Sequence, residues 1–184
     1  MNILSMYGSI FAQIFDAPFL LFMGKLSFAM LLGLLIGLER VHSHKTAGMR
    51  TYALVSLSAA TFISISLYIG ETLGLQSGGG FNPELIAGNI ITGIGFLGAG
   101  LIIFKDGHIE NLTTAAGMWI CAGIGMAVGF GMFREALFVT VLTFFVMGVL
   151  SFVERYVRLH VFPDPIFEKT LEKPKRIRKK KVIE

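Results

Sequence analysis

Cysteine is nearly absent: the chain of 184 residues has a single one, Cys121. A disulfide framework is therefore excluded. Charge is scarce as well, at 15% of residues, where a soluble domain carries about a quarter. The scarcity is uneven. Thirteen charged residues fall in the first 153 positions and fifteen in the last 31. So few charges cannot solvate a globule of this size, which excludes a soluble enzyme. Hydrophobic residues make up 54% of the chain, which excludes a disordered one. The beginning also lacks the basic start of a signal peptide, since no Lys or Arg precedes Lys25.

What is present is long apolar runs. A membrane helix needs about 20 mostly apolar residues, each rising about 1.5 Å across a core of about 30 Å. Five stretches qualify: residues 19–38, 51–70, 85–104, 112–133 and 136–153. Short charged segments, the run Gly78 to Gly80 and the pair Asn82-Pro83 separate them. The runs do not alternate as lipid-facing barrel strands would. The expected fold is all-α, a polytopic membrane protein of five transmembrane helices. Its domains are an interfacial segment 1–18, a membrane domain 19–154 and a basic tail 155–184.

Basic residues give the direction. With five spans, Arg40, Lys45, Arg50, Lys105 and ten tail residues share one side, Arg134 lies on the other, and Lys25 falls inside the first span near its beginning. The expectation is N-terminus out and C-terminus cytoplasmic. In the first segment, Ile3, Tyr7, Ile10 and Ile14 recur at helical spacing, which predicts an amphipathic helix lying on the outer interface. In the tail, seven of the nine residues from Lys173 to Lys181 are Lys or Arg. Lys175, Arg176, Arg178, Lys179, Lys180 and Lys181 are read as a contact for anionic lipid, at about 1 kcal/mol each. No nucleic-acid partner is expected.

Between membrane helices, small residues allow the close approach that replaces hydrophobic drive. Span one offers Ala29, Gly33 and Gly37; span two Ser56, Ala60 and Ser64. Span three offers Gly88, Thr92, Gly95 and Ala99; span four Gly117, Cys121, Gly125 and Gly129. These stripes predict tight packing within the chain or in a homo-oligomer. Gly93, Gly95, Gly98 and Gly100 crowd into eight residues of span three, predicting a thin helix or a close approach by another backbone or ligand. Gly93 to Gly98 matches the dinucleotide pattern GxGxxG, but inside an apolar span that pattern has no meaning. The sequon at Asn111 falls on the expected cytoplasmic side and is discounted.

Polar residues collect at the inner ends of the first four spans: Glu39 and Arg40, then Arg50, then Asp106, then Thr113 and Thr114. Glu39 and Arg50 flank one short connection and are within reach of each other; Asp106 has Arg40 or Arg50 within reach. Interfacial anchoring explains single charges, but the clustering of both signs points to a shared site. Asn89 is the strongest polar residue inside a span, suited to packing or to transport. No Asp or Glu lies inside any span, although Mg²⁺ takes oxygen ligands, often carboxylates. No metal site, catalytic residue or cofactor is expected.

Four blocks together resemble the MgtC/SapB family of bacterial membrane proteins. They are Gly33-Leu-Leu-Ile-Gly-Leu-Glu-Arg40, Lys45-Thr-Ala-Gly-Met-Arg-Thr-Tyr-Ala-Leu-Val55, Ile91-Thr-Gly-Ile-Gly-Phe-Leu-Gly-Ala-Gly100 and Leu112-Thr-Thr-Ala-Ala-Gly-Met-Trp119. The resemblance covers roughly residues 25–150. It implies a five-span inner-membrane domain and roles under magnesium limitation or in pathogen survival. For some members it implies restraint of the F-type ATP synthase. It also marks Glu39, Arg40, Arg50 and Asp106 as functional positions. The chain departs from the family at Asn82-Pro83, Leu85, Asn89 and Asn111; with a basic tail where longer members have a folded cytoplasmic domain, it resembles the short, SapB-like members. The leading expectation is a non-enzymatic regulator that binds another membrane protein. The alternative is a transporter or channel for Mg²⁺, protons or small solutes.

Overall fold

The computed structural model describes residues 17–74, 82–105 and 108–160. The segment 1–16, Asp106 and the tail from residue 161, with its six basic positions, lie outside them. The described chain is mostly helical: α1 Ala17–His42, α2 Met49–Thr72, α3 Pro83–Leu101, α4 Leu112–Gly129 and α5 Phe133–Phe145. A π-helical turn, Val146–Leu150, leads into α6, Ser151–His160. Five helical stretches are long and apolar enough to cross a membrane, the fifth being Phe133–Glu154.

Two boundaries differ from the sequence reading, for identifiable reasons. The third apolar run stops being helical at Leu101, and Ile103–Lys105 (β1) pairs with His108–Glu110 (β2) as an antiparallel hairpin. Ile102, Ile103 and Phe104 are β-branched and aromatic residues that suit a strand. The Asp106-Gly107 pair that follows is a hairpin signature. The fourth run ends at Gly129 because Gly131 takes φ +85, a left-handed turn that closes the helix. At its own start, α3 is set by Asn82, whose side chain accepts from the Glu84 and Leu85 amides, with Pro83 in the first turn.

The chain divides into two compact units, residues 1–144 and 145–184. In the first, α1, α2 and α4 pack mutually, while α3 leans on α4 and lightly on α2. The Phe28 and Phe133 rings meet edge to face at 5.8 Å. The core is made by backbone approach. A methyl group on Gly33 would lie 2.5 Å from the Tyr52 carbonyl oxygen, and one on Gly37 would lie 2.6 Å from the Met49 Cα. On the other side of α2, Gly125 of α4 is pressed against the Ser56 carbonyl. Ser56 is therefore held between two glycines, and its hydroxyl donates to the Ala29 carbonyl at 2.7 Å. The Cys121 thiol donates to the Tyr52 carbonyl at 3.3 Å.

The glycines of α3 behave differently. Gly98 is in ordinary contact with Ala115, but added methyl groups at Gly93, Gly95 and Gly100 would meet nothing within 4 Å. Spacing alone ranks these positions with Gly33 and Gly37. The structure separates them, because Gly98 is the one buried residue of α3.

Candidate functional site

The polar residues sort into two networks at the end where α1 stops and α2 starts. In the first, the Arg40 guanidinium pairs with the carboxylate of its neighbour Glu39. The Arg40 side chain is 2% exposed and that of Glu39 15%. The Ser43 hydroxyl donates to the other Glu39 oxygen at 2.7 Å, and the Lys45 amide donates to the Arg40 carbonyl at 2.9 Å. A buried guanidinium needs this company, since an unpaired buried charge is costly. Beside it, the Tyr52 hydroxyl donates to the Thr114 carbonyl at 3.1 Å, joining α2 to α4.

A Glu39–Arg50 pair does not form. Glu39 is engaged by Arg40, because α1 turns Arg40 into the protein while Arg50 is exposed at the start of α2. Thr114 is buried and Thr113 exposed, and neither hydroxyl caps α4. The residue before α4, Asn111, takes the left-handed conformation at φ 66.

Asn111 organises the second network, which the sequence reading passed over. Its amide nitrogen donates to the Leu101 carbonyl at 3.1 Å, and its oxygen accepts from the Thr46 hydroxyl at 2.6 Å. One side chain thus ties the end of α3 to the connector before α2. A sequence signal existed: Asn is among the few residues that adopt the left-handed region readily. Tyr52 was also missed as a site residue, because an aromatic in an apolar span reads as core.

Between α2 and α3 a groove of about 1210 Å³ runs along the helices. Apolar side chains such as Leu54, Phe62, Ile86 and Leu97 line it, and among the described residues Arg50 is its one charged lining residue. Asn89 of α3 also lines it, exposed. A smaller hollow of about 440 Å³ holds Lys25, Tyr68 and Glu71. Among the described residues, no group of three or more His, Cys, Asp or Glu side chains is placed to hold a metal ion.

Five apolar helices with their charges gathered at the helix ends define a multi-pass membrane protein. The particular kind is settled by comparison: the chain belongs to the MgtC family, whose model matches residues 26–156. It is 44% identical over 114 residues to Protein MgtC of Salmonella typhimurium (strain LT2), covering 62% of this chain and 46% of that protein. It is 42% identical over 135 residues to Protein MgtC of Brucella abortus (strain 2308), covering 73% and 52%. It is 40% identical over 115 residues to YhiD of Escherichia coli (strain K12), covering 62% and 53%. The name of that last protein assigns it, provisionally, to magnesium transport. The match thus spans about half the length of these curated relatives. No solved structure matches significantly.

Proposed function

We propose that this chain is a non-enzymatic regulator that binds another membrane complex during adaptation to magnesium limitation or stress. The lining of the α2–α3 groove carries this reading. Its walls are mostly apolar, and among the described residues the one charge in its lining is the cation Arg50. A divalent cation gives up water only to oxygen ligands, often carboxylates, and an arginine repels it. The groove is suited to receive protein better than to pass Mg²⁺. The family resemblance puts forward the F-type ATP synthase as the regulated complex. In this reading the protein lies in the bacterial inner membrane with its N-terminus outside and its tail in the cytoplasm. Fourteen basic residues on the inner side against one on the outer support that direction. The basic tail then meets anionic lipid.

A transporter or channel is the second reading, favoured by Asn89, a polar side chain facing the groove within a span. The two are separated in liposomes. The full chain, reconstituted beside F-type ATP synthase, is expected to lower ATP-driven proton pumping. Liposomes holding the chain alone and a magnesium indicator are expected to show no flux. Magnesium or proton flux abolished by Asn89→Leu would overturn the regulator reading in favour of the transporter.

A further inference from the structure

The groove is nearly as long as the membrane core is thick. From Arg50 to Ile69 its α2 wall covers 19 residue steps, or about 29 Å, close to the roughly 30 Å hydrocarbon core. The Thr46–Asn111–Leu101 hydrogen bonds place Leu101 at the Arg50 end. Asn89 lies 12 residues before Leu101, about 18 Å along α3 from that end. It therefore sits inside the hydrocarbon region. Among the described residues its amide has no hydrogen-bond partner, although it faces the groove. The Ser66 hydroxyl, 4% exposed and also in the lining, has none either. An amide without a partner in hydrocarbon is costly, and such residues face protein.

We propose that the groove is the docking site for one transmembrane helix of a partner protein. That helix carries a hydrogen-bonding side chain at the depth of Asn89 and a carboxylate about 12 residues away at the Arg50 end. This rests on the regulator reading and names the kind of partner it requires. A phospholipid fits less well. Its chains reach about half of the core from one leaflet and offer no hydrogen bond to Asn89. A helix covers the full length, and its backbone has room beside Gly93 and Gly100, where no neighbour lies within 4 Å. Arg50 is exposed at that end and forms no ion pair among the described residues, which do not include Asp106; a carboxylate is the complement its charge calls for. Phe96, 80% exposed in the same lining, then becomes an anchor.

The test places the photocrosslinker p-benzoylphenylalanine in the full chain in intact bacteria. One version carries it at Phe96 in the groove and another at Leu137, exposed outside it. After irradiation, crosslinked peptides are sequenced by mass spectrometry. The expected product at Phe96 is a peptide from a transmembrane helix of another protein, with the stated carboxylate and hydrogen-bonding residue. Its yield is expected to fall about three- to ten-fold with Asn89→Leu, the equivalent of one interhelical hydrogen bond. Asn89→Gln should restore it, and Arg50→Gln should lower it. Lipid adducts alone, self-adducts alone, or a protein adduct indifferent to Asn89→Leu would overturn the proposal. If Leu137 captures another membrane protein while Phe96 does not, the groove assignment fails and the regulator reading stands. If neither does, both fail.

Discussion

Ser56 is enclosed by Gly33 of α1 and Gly125 of α4, with no room for a further carbon atom on either side. Gly125→Ala drives its methyl group into the Ser56 carbonyl, and overpacking of this kind costs about 1–3 kcal/mol. Gly95→Ala adds the same methyl group where nothing lies within 4 Å. Heat-induced unfolding in mild detergent is expected to come earlier for Gly125→Ala and to be unchanged or slightly later for Gly95→Ala. Equal losses in both would mean that α3 is packed by something beyond this chain. The contrast also marks what a sequence holds at this scale. The stripe Ala29, Gly33, Gly37 was legible because membrane helices approach through small residues at four-residue spacing. Gly95 shares a helical face with Gly88, Thr92 and Ala99 at three- and four-residue spacing, and only the rotation of the helix in the bundle distinguishes the two sets. The Glu39 pairing was missed for a related reason. Glu39 and Arg50 flank one short connection, but that closeness does not show which way each side chain turns, and neighbours in sequence rarely face each other on a helix.

At the scale of elements, the short hairpin and Asn111 decide how α3 enters the structure. The third apolar run shows no break before Lys105, which is why a continuous span to residue 104 was expected. The switch from helix to strand at Ile102 reflects β-branched and aromatic residues meeting the Asp106-Gly107 turn signal, a contest that hydropathy does not register. Asn111 then holds the end of α3 through the Leu101 carbonyl while standing at φ 66. Asn111→Ala loses two hydrogen bonds, worth about 1 kcal/mol each, and pays about 1 kcal/mol for the left-handed backbone. Asn111→Gly keeps the backbone conformation and loses only the bonds. Thermal unfolding is expected to rank wild type above Asn111→Gly and Asn111→Gly above Asn111→Ala. The reverse order of the two variants would show that the left-handed conformation contributes nothing.

Over the whole molecule, the number of spans was readable because charge, Lys25 apart, is confined to the ends of apolar runs. That pattern follows from the high cost of charge in hydrocarbon. The groove was not readable, because it depends on how far α3 stands from α2. The direction of insertion is open to direct measurement. Reporters active on only one side of the membrane, fused after Gly79 and after Gly107, are expected to register opposite sides. Registration on the same side would sink the five-span arrangement.

The contact of Gly33 and Gly125 with one serine has a bearing on how this protein tolerates change. In an ordinary soluble core, harm comes mostly from removing atoms, because deletions leave cavities. Here the main chains themselves are the packing surface, so the sensitive direction is reversed. Trimming Leu54 or Phe62, which are exposed on α2, removes atoms that another molecule can replace. Enlarging Gly33, Gly37 or Gly125 by one carbon forces whole helices apart. Variation in such a protein is free to erode its outer faces, and so to change what it meets, while its centre admits nothing larger.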